Sequence, residues 1–135
     1  MKNFQFLLLF LLSTLLSTSL HANSEDDFIP AEKAFIVSHE FQNDSLILHW
    51  KLADKIHVYK DAITLKLLKG EGVTLGQMKM PKAHVDDMGD AIFGGTFDIT
   101  VAIANTNSSD FSLSLEYRGC SDLGLCYPPQ TKQID

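Results

Sequence analysis

Alternation between apolar and polar positions dominates this chain after its first 33 residues. Five stretches carry the pattern, residues 34–41, 45–52, 62–69, 96–103 and 111–119. A period of two is typical of β-strands with one face in the core and one face in water. Segments rich in Gly, Asn, Asp and Lys separate the stretches and predict turns. No stretch shows the period of an amphipathic helix of normal length, so the pattern predicts an all-β fold, a two-sheet β-sandwich.

One long segment does not follow the alternation. Residues 80–95, "MPKAHVDDMGDAIFGG", combine acids, glycines and a proline with two bulky apolar side chains. The pattern fits no strand, and we predict a loop. A loop of that length in a small sandwich is often functional.

The first 22 residues predict a secretory signal peptide. A basic start at Lys2 precedes an apolar stretch, and small Ala22 offers a cleavage position. Ser and Thr residues interrupt the apolar stretch, whereas a spanning helix needs about 20 predominantly apolar residues. We therefore expect cleavage after Ala22, export from the cytoplasm, and a single domain over residues 23–135.

Charge excludes one class of partner. The segment 1–22 carries one basic residue and no acid, so the remaining 113 residues hold 10 basic and 17 acidic side chains, a net charge of −7. Nucleic-acid binding depends on neutralising phosphates with clustered Lys and Arg, and no such cluster is present. We expect no nucleic-acid partner.

The two cysteines, Cys120 and Cys126, lie in "GCSDLGLCYPP". Export favours a disulfide between them. A structural zinc site needs about four ligands, usually in closer cysteine pairs, so a metal is not expected. A bridge closing so short a loop stabilises a fold by only roughly 2–2.5 kcal/mol. An exposed pair after a strand could instead exchange with a partner thiol. The residues alone leave a structural and a redox disulfide open.

The wider segment "YRGCSDLGLCYPPQTK" (117–132) resembles the cysteine segment of the N-terminal periplasmic domain of DsbD, the thiol:disulfide interchange protein. Two further stretches, "LHWKLADKIHVYKDAITL" (48–65) and "DAIFGG" (90–95), resemble that family's early strands and the loop that caps its site. The resemblance covers roughly residues 26–135. It implies an immunoglobulin-like β-sandwich with the redox cysteine pair at one end.

The resemblance also implies a function, that of a protein-disulfide reductase module without a cofactor. A thioredoxin-like domain would supply electrons. Periplasmic disulfide isomerases or cytochrome c maturation thioredoxins would receive them. Cys126 would form mixed disulfides with partners, and Cys120 would resolve them. Membrane attachment is expected only through the family's membrane domain, which these 135 residues do not include.

Several residues are expected around the pair by the same resemblance. The cap segment contributes Asp90, Ile92 and Phe93, with Ile92 where the family usually has an aromatic residue. A tyrosine pair of the family is replaced by His57 and Tyr59. Tyr127 directly follows the second cysteine. A carboxylate such as that of Asp90 would raise a nearby thiol pKa, which predicts modest reactivity.

Two other functions compete with this hypothesis. The first is a non-catalytic exported β-sandwich that has a structural disulfide and binds a partner through residues 80–95. The second is a Cu(I) site, because methionine sulfur and imidazole are soft ligands. Methionines in and beside strands more often serve packing. The candidate ligands are Met78, Met80, His84 and Met88.

Overall fold

The computed structural model describes residues 28–104 and 110–135. The predicted signal peptide and most of the predicted turn at 105–110 lie outside these ranges. Within them, a short helix and eleven strands form, with a 3₁₀ turn (Lys60–Ala62) after the third strand. The helix is α1 (Ala31–Ala34), and the strands are β1 (Phe35–Gln42), β2 (Ser45–Leu52), β3 (Ile56–Tyr59), β4 (Thr64–Lys69), β5 (Thr74–Lys79), β6 (His84–Val85), β7 (Ala91–Gly94), β8 (Thr96–Ala104), β9 (Ser112–Tyr117), β10 (Gly119–Ser121) and β11 (Gln130–Ile134).

The strands form three antiparallel sheets. The first has the order β1-β2-β8-β5, the second β11-β9-β4, and the third β10-β3-β7-β6. All five predicted strands are present, as β1, β2, β4, β8 and β9. The structure therefore confirms the all-β prediction, and the arrangement is consistent with an immunoglobulin-like sandwich.

The core lies between the first sheet and the other two. Trp50 on β2 is fully buried. Its ring packs edge-on against Tyr117 of β9 at 5.0 Å and stacks on Phe97 of β8 at 5.5 Å. The apolar positions that alternation assigned to one face of β2, Leu46 and Leu48, are also fully buried. Burial of this face is the main stabilising term of the sandwich.

The second and third sheets share two chain segments, and this continuity positions the site. Strand β9 runs through Arg118 into β10, and β3 runs through the 3₁₀ turn into β4. Tyr59 N–H donates to the Arg118 carbonyl at 3.0 Å, so the pairing of the two segments continues between the sheets. The third sheet thus extends the second sheet toward one end of the molecule.

The prediction of a loop over residues 80–95 was wrong. The segment contains β6 and β7, which pair as a hairpin. At its tip, the Asp86 carboxylate accepts hydrogen bonds from the backbone N–H groups of Met88 and Asp90, at 2.9 and 2.8 Å. Gly89 adopts φ 90°, which favours glycine at this turn. The strands are too short for a period of two to be recognised.

In the described part of the chain, no helix has the length and apolar character needed to cross a bilayer.

Candidate active site

Strand β10 places Cys120 at the end of the third sheet. Its Cα partner across the sheet is His57 on β3. On the other side, Cys126 pairs with Cys120 through an isolated antiparallel bridge. The two sulfurs form a disulfide with an S–S distance of 2.09 Å, and the Cα atoms are 3.9 Å apart. The predicted pair is therefore joined directly across two antiparallel segments.

Two backbone hydrogen bonds flank the cysteine pair. Tyr127 N–H donates to the Gly119 carbonyl at 3.0 Å, and Ser121 N–H donates to the Leu125 carbonyl at 2.7 Å. The cysteines between them occupy a non-hydrogen-bonded position of the ladder. Side chains at such positions approach more closely than at hydrogen-bonded ones. The backbone alone therefore brings the two sulfurs together.

The two cysteines differ strongly in exposure. Cys120 is 4% exposed and lies among core residues, whereas Cys126 is exposed to solvent. The turn between them contains Gly124 at φ 92°, and its N–H donates to the Ser121 carbonyl at 3.0 Å. Disulfide exchange requires access to the sulfur that is attacked. Of the two residues, Cys126 is therefore the more accessible from solvent.

Three polar side chains are linked to one another beside Cys120, and one of them contacts its sulfur. The Tyr59 hydroxyl lies 3.5 Å from Cys120 Sγ. His57 Nδ1 lies 2.8 Å from Asp122 Oδ1, and the rings of His57 and Tyr59 pack edge-on with centroids 5.4 Å apart. A carboxylate can only accept, so Nδ1 donates in this pair. The His57 side chain is 13% exposed, and that of Asp122 is 58% exposed.

A pocket of about 470 Å³ opens over the cysteine pair. Both cysteines line it, together with Tyr59, Tyr127 and Asp90 from the predicted set. Its walls also include side chains that the sequence did not single out, chiefly Asp61 and Arg118. Asp61 lies in the 3₁₀ turn after β3, and Arg118 joins β9 to β10. Neither has a motif of its own, so only the sheet pairing reveals them.

The cap residues divide between the two faces of β7. Ile92 is half-buried and is the Cα partner of Tyr59, so both side chains share the face that carries Cys120. Phe93, predicted beside the site, is 3% exposed and stacks on Phe97 at 4.8 Å. Successive strand residues point to opposite faces. Phe93 therefore belongs to the core rather than to the pocket.

Tyr127 anchors the chain leaving the site. Its hydroxyl donates to the Ile29 carbonyl at 2.7 Å, and its ring contacts Phe28 at 4.8 Å and Phe35 at 5.0 Å. Burial raises the pKa of Tyr127 above its ordinary value. The residue after Cys126 is thus held by the N-terminal segment.

The candidate copper ligands do not form one cluster of exposed donors. Met78 and Met80 are partly buried and pack against the core. Met88, in contrast, is 88% exposed at the hairpin tip, and His84 is exposed on β6. Among the described residues, no group of three or more His, Cys, Asp or Glu side chains could hold a metal ion.

A family model described as "Thiol:disulfide interchange protein DsbD, N-terminal" matches residues 25–135. The chain belongs to this family. DsbD of Pasteurella multocida is 30% identical over 93% of this chain, and DsbD of Haemophilus ducreyi is 34% identical over 83%. The aligned parts are 23% and 19% of those two proteins, so the chain spans only about a quarter of their length or less.

Solved structures of the DsbD N-terminal domain have the same fold. The reduced domain from Neisseria meningitidis matches with a TM-score of 0.71 and 26% identity, over 81% of this chain and 89% of that one. The same organism's domain in complex with the PilB N-terminal domain matches with a TM-score of 0.61 and 22% identity, over 82% and 88%. The second likeness supports the fold alone.

Proposed function

We propose that this chain is a periplasmic thiol-disulfide exchange module in which Cys126 reacts with partner proteins and Cys120 resolves the adduct. The difference in exposure between the two cysteine residues carries the proposal. Cys120 is 4% exposed, and Cys126 faces solvent beside a pocket. A purely structural bridge has no need of one accessible sulfur, whereas an exchanging pair does.

Exchange proceeds in two displacements. In the dithiol form, the Cys126 thiolate attacks a sulfur of the partner's disulfide, and one partner thiolate leaves. The product is a mixed disulfide. Cys120 then loses its proton and attacks Cys126 Sγ, which releases the second partner thiolate. The partner gains two electrons, this chain is oxidised to the Cys120–Cys126 disulfide, and the reverse sequence recharges it.

Thioredoxin-like proteins are the proposed partners. One such domain supplies electrons, and periplasmic disulfide isomerases or cytochrome c maturation thioredoxins accept them. The surface beside Cys126 suits a protein partner, because Leu123 and Leu125 are 61% and 45% exposed on the turn between the cysteines. Exposed apolar side chains grouped at a site are typical of interaction surfaces. The complex of the Neisseria meningitidis DsbD domain with the PilB N-terminal domain is a precedent for a protein partner.

The proposed mature domain comprises residues 23–135, exported by a signal peptide over residues 1–22. The charged start and the small residue at position 22 support this boundary. Sequencing the N-terminus of the protein recovered from a periplasmic fraction tests it. A protein that begins at Met1, or that stays in the cytoplasm, contradicts this part of the proposal.

The β6–β7 hairpin is the proposed cap of the site. Asp90 lines the pocket, and Ile92 lies beside Tyr59 on the face that carries Cys120. An apolar side chain at this place would limit access of small oxidants to the sulfurs. Replacing Ile92 with Ala is expected to make the disulfide react faster with dithiothreitol.

Trapping of mixed disulfides tests the exchange function. Cys120→Ala leaves Cys126 without its resolving thiol, so an adduct with a thioredoxin-like protein accumulates and is seen on a non-reducing gel. Cys126→Ala is the matched control and traps little, because its remaining thiol is buried. A structural disulfide predicts no adduct in either variant and a reduction potential below about −300 mV. That result would refute the proposal.

A further inference from the structure

The exchange steps proposed for Cys126 give no role to the hydrogen-bonded pair of His57 and Asp122. His57 faces Cys120 directly across the β3–β10 ladder. Asp122 N–H donates to the Lys55 carbonyl at 2.8 Å, so these two residues form a hydrogen-bonded pair. Hydrogen-bonded pairs recur at every second position of an antiparallel ladder, and Cys120 and His57, two positions away, are therefore another such pair. Side chains of such a pair lie on one face, with Cβ atoms about 5.5 Å apart. The imidazole is therefore an ionisable neighbour of the buried thiol across the sheet, beside the Tyr59 hydroxyl.

The inference rests on the proposed function, in which Cys120 resolves the mixed disulfide. This step requires a base. Cys120 must give up its thiol proton to attack, because the thiolate is the nucleophile. At 4% exposure, its sulfur has little contact with water. Burial also disfavours the charged thiolate. A neighbouring side chain that accepts the proton lowers this barrier.

We propose that His57, held by Asp122, accepts the proton that Cys120 releases when it resolves the mixed disulfide. In the neutral imidazole, a bond donated from Nδ1 to the Asp122 carboxylate leaves Nε2 as the nitrogen that can accept a proton. The electrons of the Cys120 S–H bond form the new S–S bond, and the partner's sulfur leaves with the electrons of the old one. The imidazolium that results is paired with Asp122. Tyr59, whose hydroxyl lies 3.5 Å from Cys120 Sγ, borders the same space.

The groups that face His57 fit this role. From β10 and the residue after it they are Cys120, the proton donor, and Asp122, a negative partner for the imidazolium. From β7 the residue opposite is Gly94, which carries no charge. On its own strand and turn, the neighbours are Tyr59 and Lys55. Histidine changes charge between about pH 5 and 8, a suitable range for exchange at neutral pH.

A chromogenic aryl disulfide, dithiobis-nitrobenzoate, separates the two steps in the reduced protein. At one equivalent, attack by Cys126 releases a first coloured thiolate, and resolution by Cys120 releases a second. In the wild-type protein, the rate of the second phase falls as the pH is lowered through the range in which histidine protonates. His57→Gln keeps a donor for Asp122 but cannot take the proton.

We expect His57→Gln to slow the second phase about 100-fold relative to the first at neutral pH, which is the lower end of general-base effects. The deficit shrinks toward about pH 8.5, where solvent ionises a thiol directly. Asp122→Asn changes a mostly exposed side chain and slows the second phase less than His57→Gln. The imidazole is still present in this variant, and only its charged partner is lost. His49→Gln is the matched control, since His49 also bonds to an aspartate, Asp98, at 2.8 Å, on the first sheet.

Three results would overturn the inference. The first is a His57→Gln variant whose ratio of second-phase to first-phase rate and whose pH profile equal those of the wild type. The second is a second phase slowed as much by His49→Gln as by His57→Gln. The third is a second-phase rate unchanged by Asp122→Asn. Circular dichroism of each variant confirms folding. A wild-type protein without any first phase would instead contradict exchange at Cys126, and with it the proposed function. Failure of the inference and failure of the function are therefore distinguishable.

Discussion

The backbone approach at Gly119 makes a sharp prediction about stability. A Cβ atom at this position would lie 2.4 Å from the His57 carbonyl oxygen and 2.5 Å from Cε1 of Phe35. The first distance is 0.6 Å shorter than 3.0 Å, below which Cβ contacts are essentially never found. The obstacle cannot easily move, because His57 belongs to a strand paired on both sides. Phe35 is 4% exposed and is held by edge-on contacts with two tyrosine rings.

Gly119→Ala should therefore separate β10 from β3 or distort both. Overpacking of a filled interior typically costs about 1–3 kcal/mol, and we expect the upper end because the clash is with backbone. A loss of about 3 kcal/mol lowers the unfolding temperature of a domain of this size by roughly 10–15 °C. The matched control is Gly94→Ala on the adjacent strand β7, where the nearest atom to a Cβ is the Ile56 carbonyl oxygen at an ordinary 3.7 Å.

Urea unfolding of the oxidised proteins measures the difference. Trp50 is the one tryptophan of the chain and is fully buried, so its fluorescence reports loss of the core. Gly94→Ala is expected to remain within about 1 kcal/mol of the wild-type free energy of unfolding. Equal stability of the two variants would refute the reasoning, because it would mean that β10 and β3 can separate without loss.

Three further variants test the core, an anchor and a surface pair. Phe93→Ala should lower the free energy of unfolding by about 3–5 kcal/mol in urea melts, since its ring is in the core; a loss below about 1 kcal/mol would contradict that placement. Tyr127→Phe removes the donor to the Ile29 carbonyl and should lower it by about 1 kcal/mol; an unchanged urea midpoint would count against the bond. The Asp98 carboxylate, by its hydrogen bond, raises the pKa of His49. Such a group stabilises the fold below its unfolded pKa, and the effect is lost as the pH rises through the folded pKa. His49→Gln should therefore lower the urea midpoint more at about pH 5.5 than at about pH 8, and a deficit that grows with pH would refute this sign.

The sequence predicted the strands whose alternation is long enough to be recognised. Strands β2 and β8 have eight and nine residues, and their inward faces read as runs of Leu, Ile, Val and Trp at every second position. Strands β3 and β7 have four residues each, and β6 has two. Two or three alternations do not distinguish a strand from a loop. Strand β5 was missed for another reason, since Gly76 and Gln77 interrupt its apolar positions.

The candidate site could be predicted in part. The cysteine segment identified the reactive pair, because its glycines, proline pair and spacing are specific to a family. The contrast in burial between Cys120 and Cys126 depends on which of them lies in a strand, and spacing does not reveal that. His57 and Asp122 are 65 positions apart, so their bond appears only once β3 and β10 are paired. Phe93 was placed beside the site for the same reason, because only its position in β7 shows that its side chain points to the core.

Because β9 continues into β10, the backbone at Cys120 is held more firmly than the backbone at Cys126. Cys120 lies on a chain segment that continues directly from β9, so we expect its backbone to open only when much of the sandwich unfolds. Cys126 is tied to that segment by the disulfide and by an isolated bridge with its two flanking backbone hydrogen bonds. Cleavage of the disulfide removes the covalent link, and we expect it to loosen the turn around Leu123 more than the rest of the domain. Amide hydrogens of that turn should exchange by local fluctuation in the dithiol, while those of β10 keep nearly the protection of the whole fold. We therefore expect the redox state of the domain to change the mobility of a few residues in the turn between the cysteines.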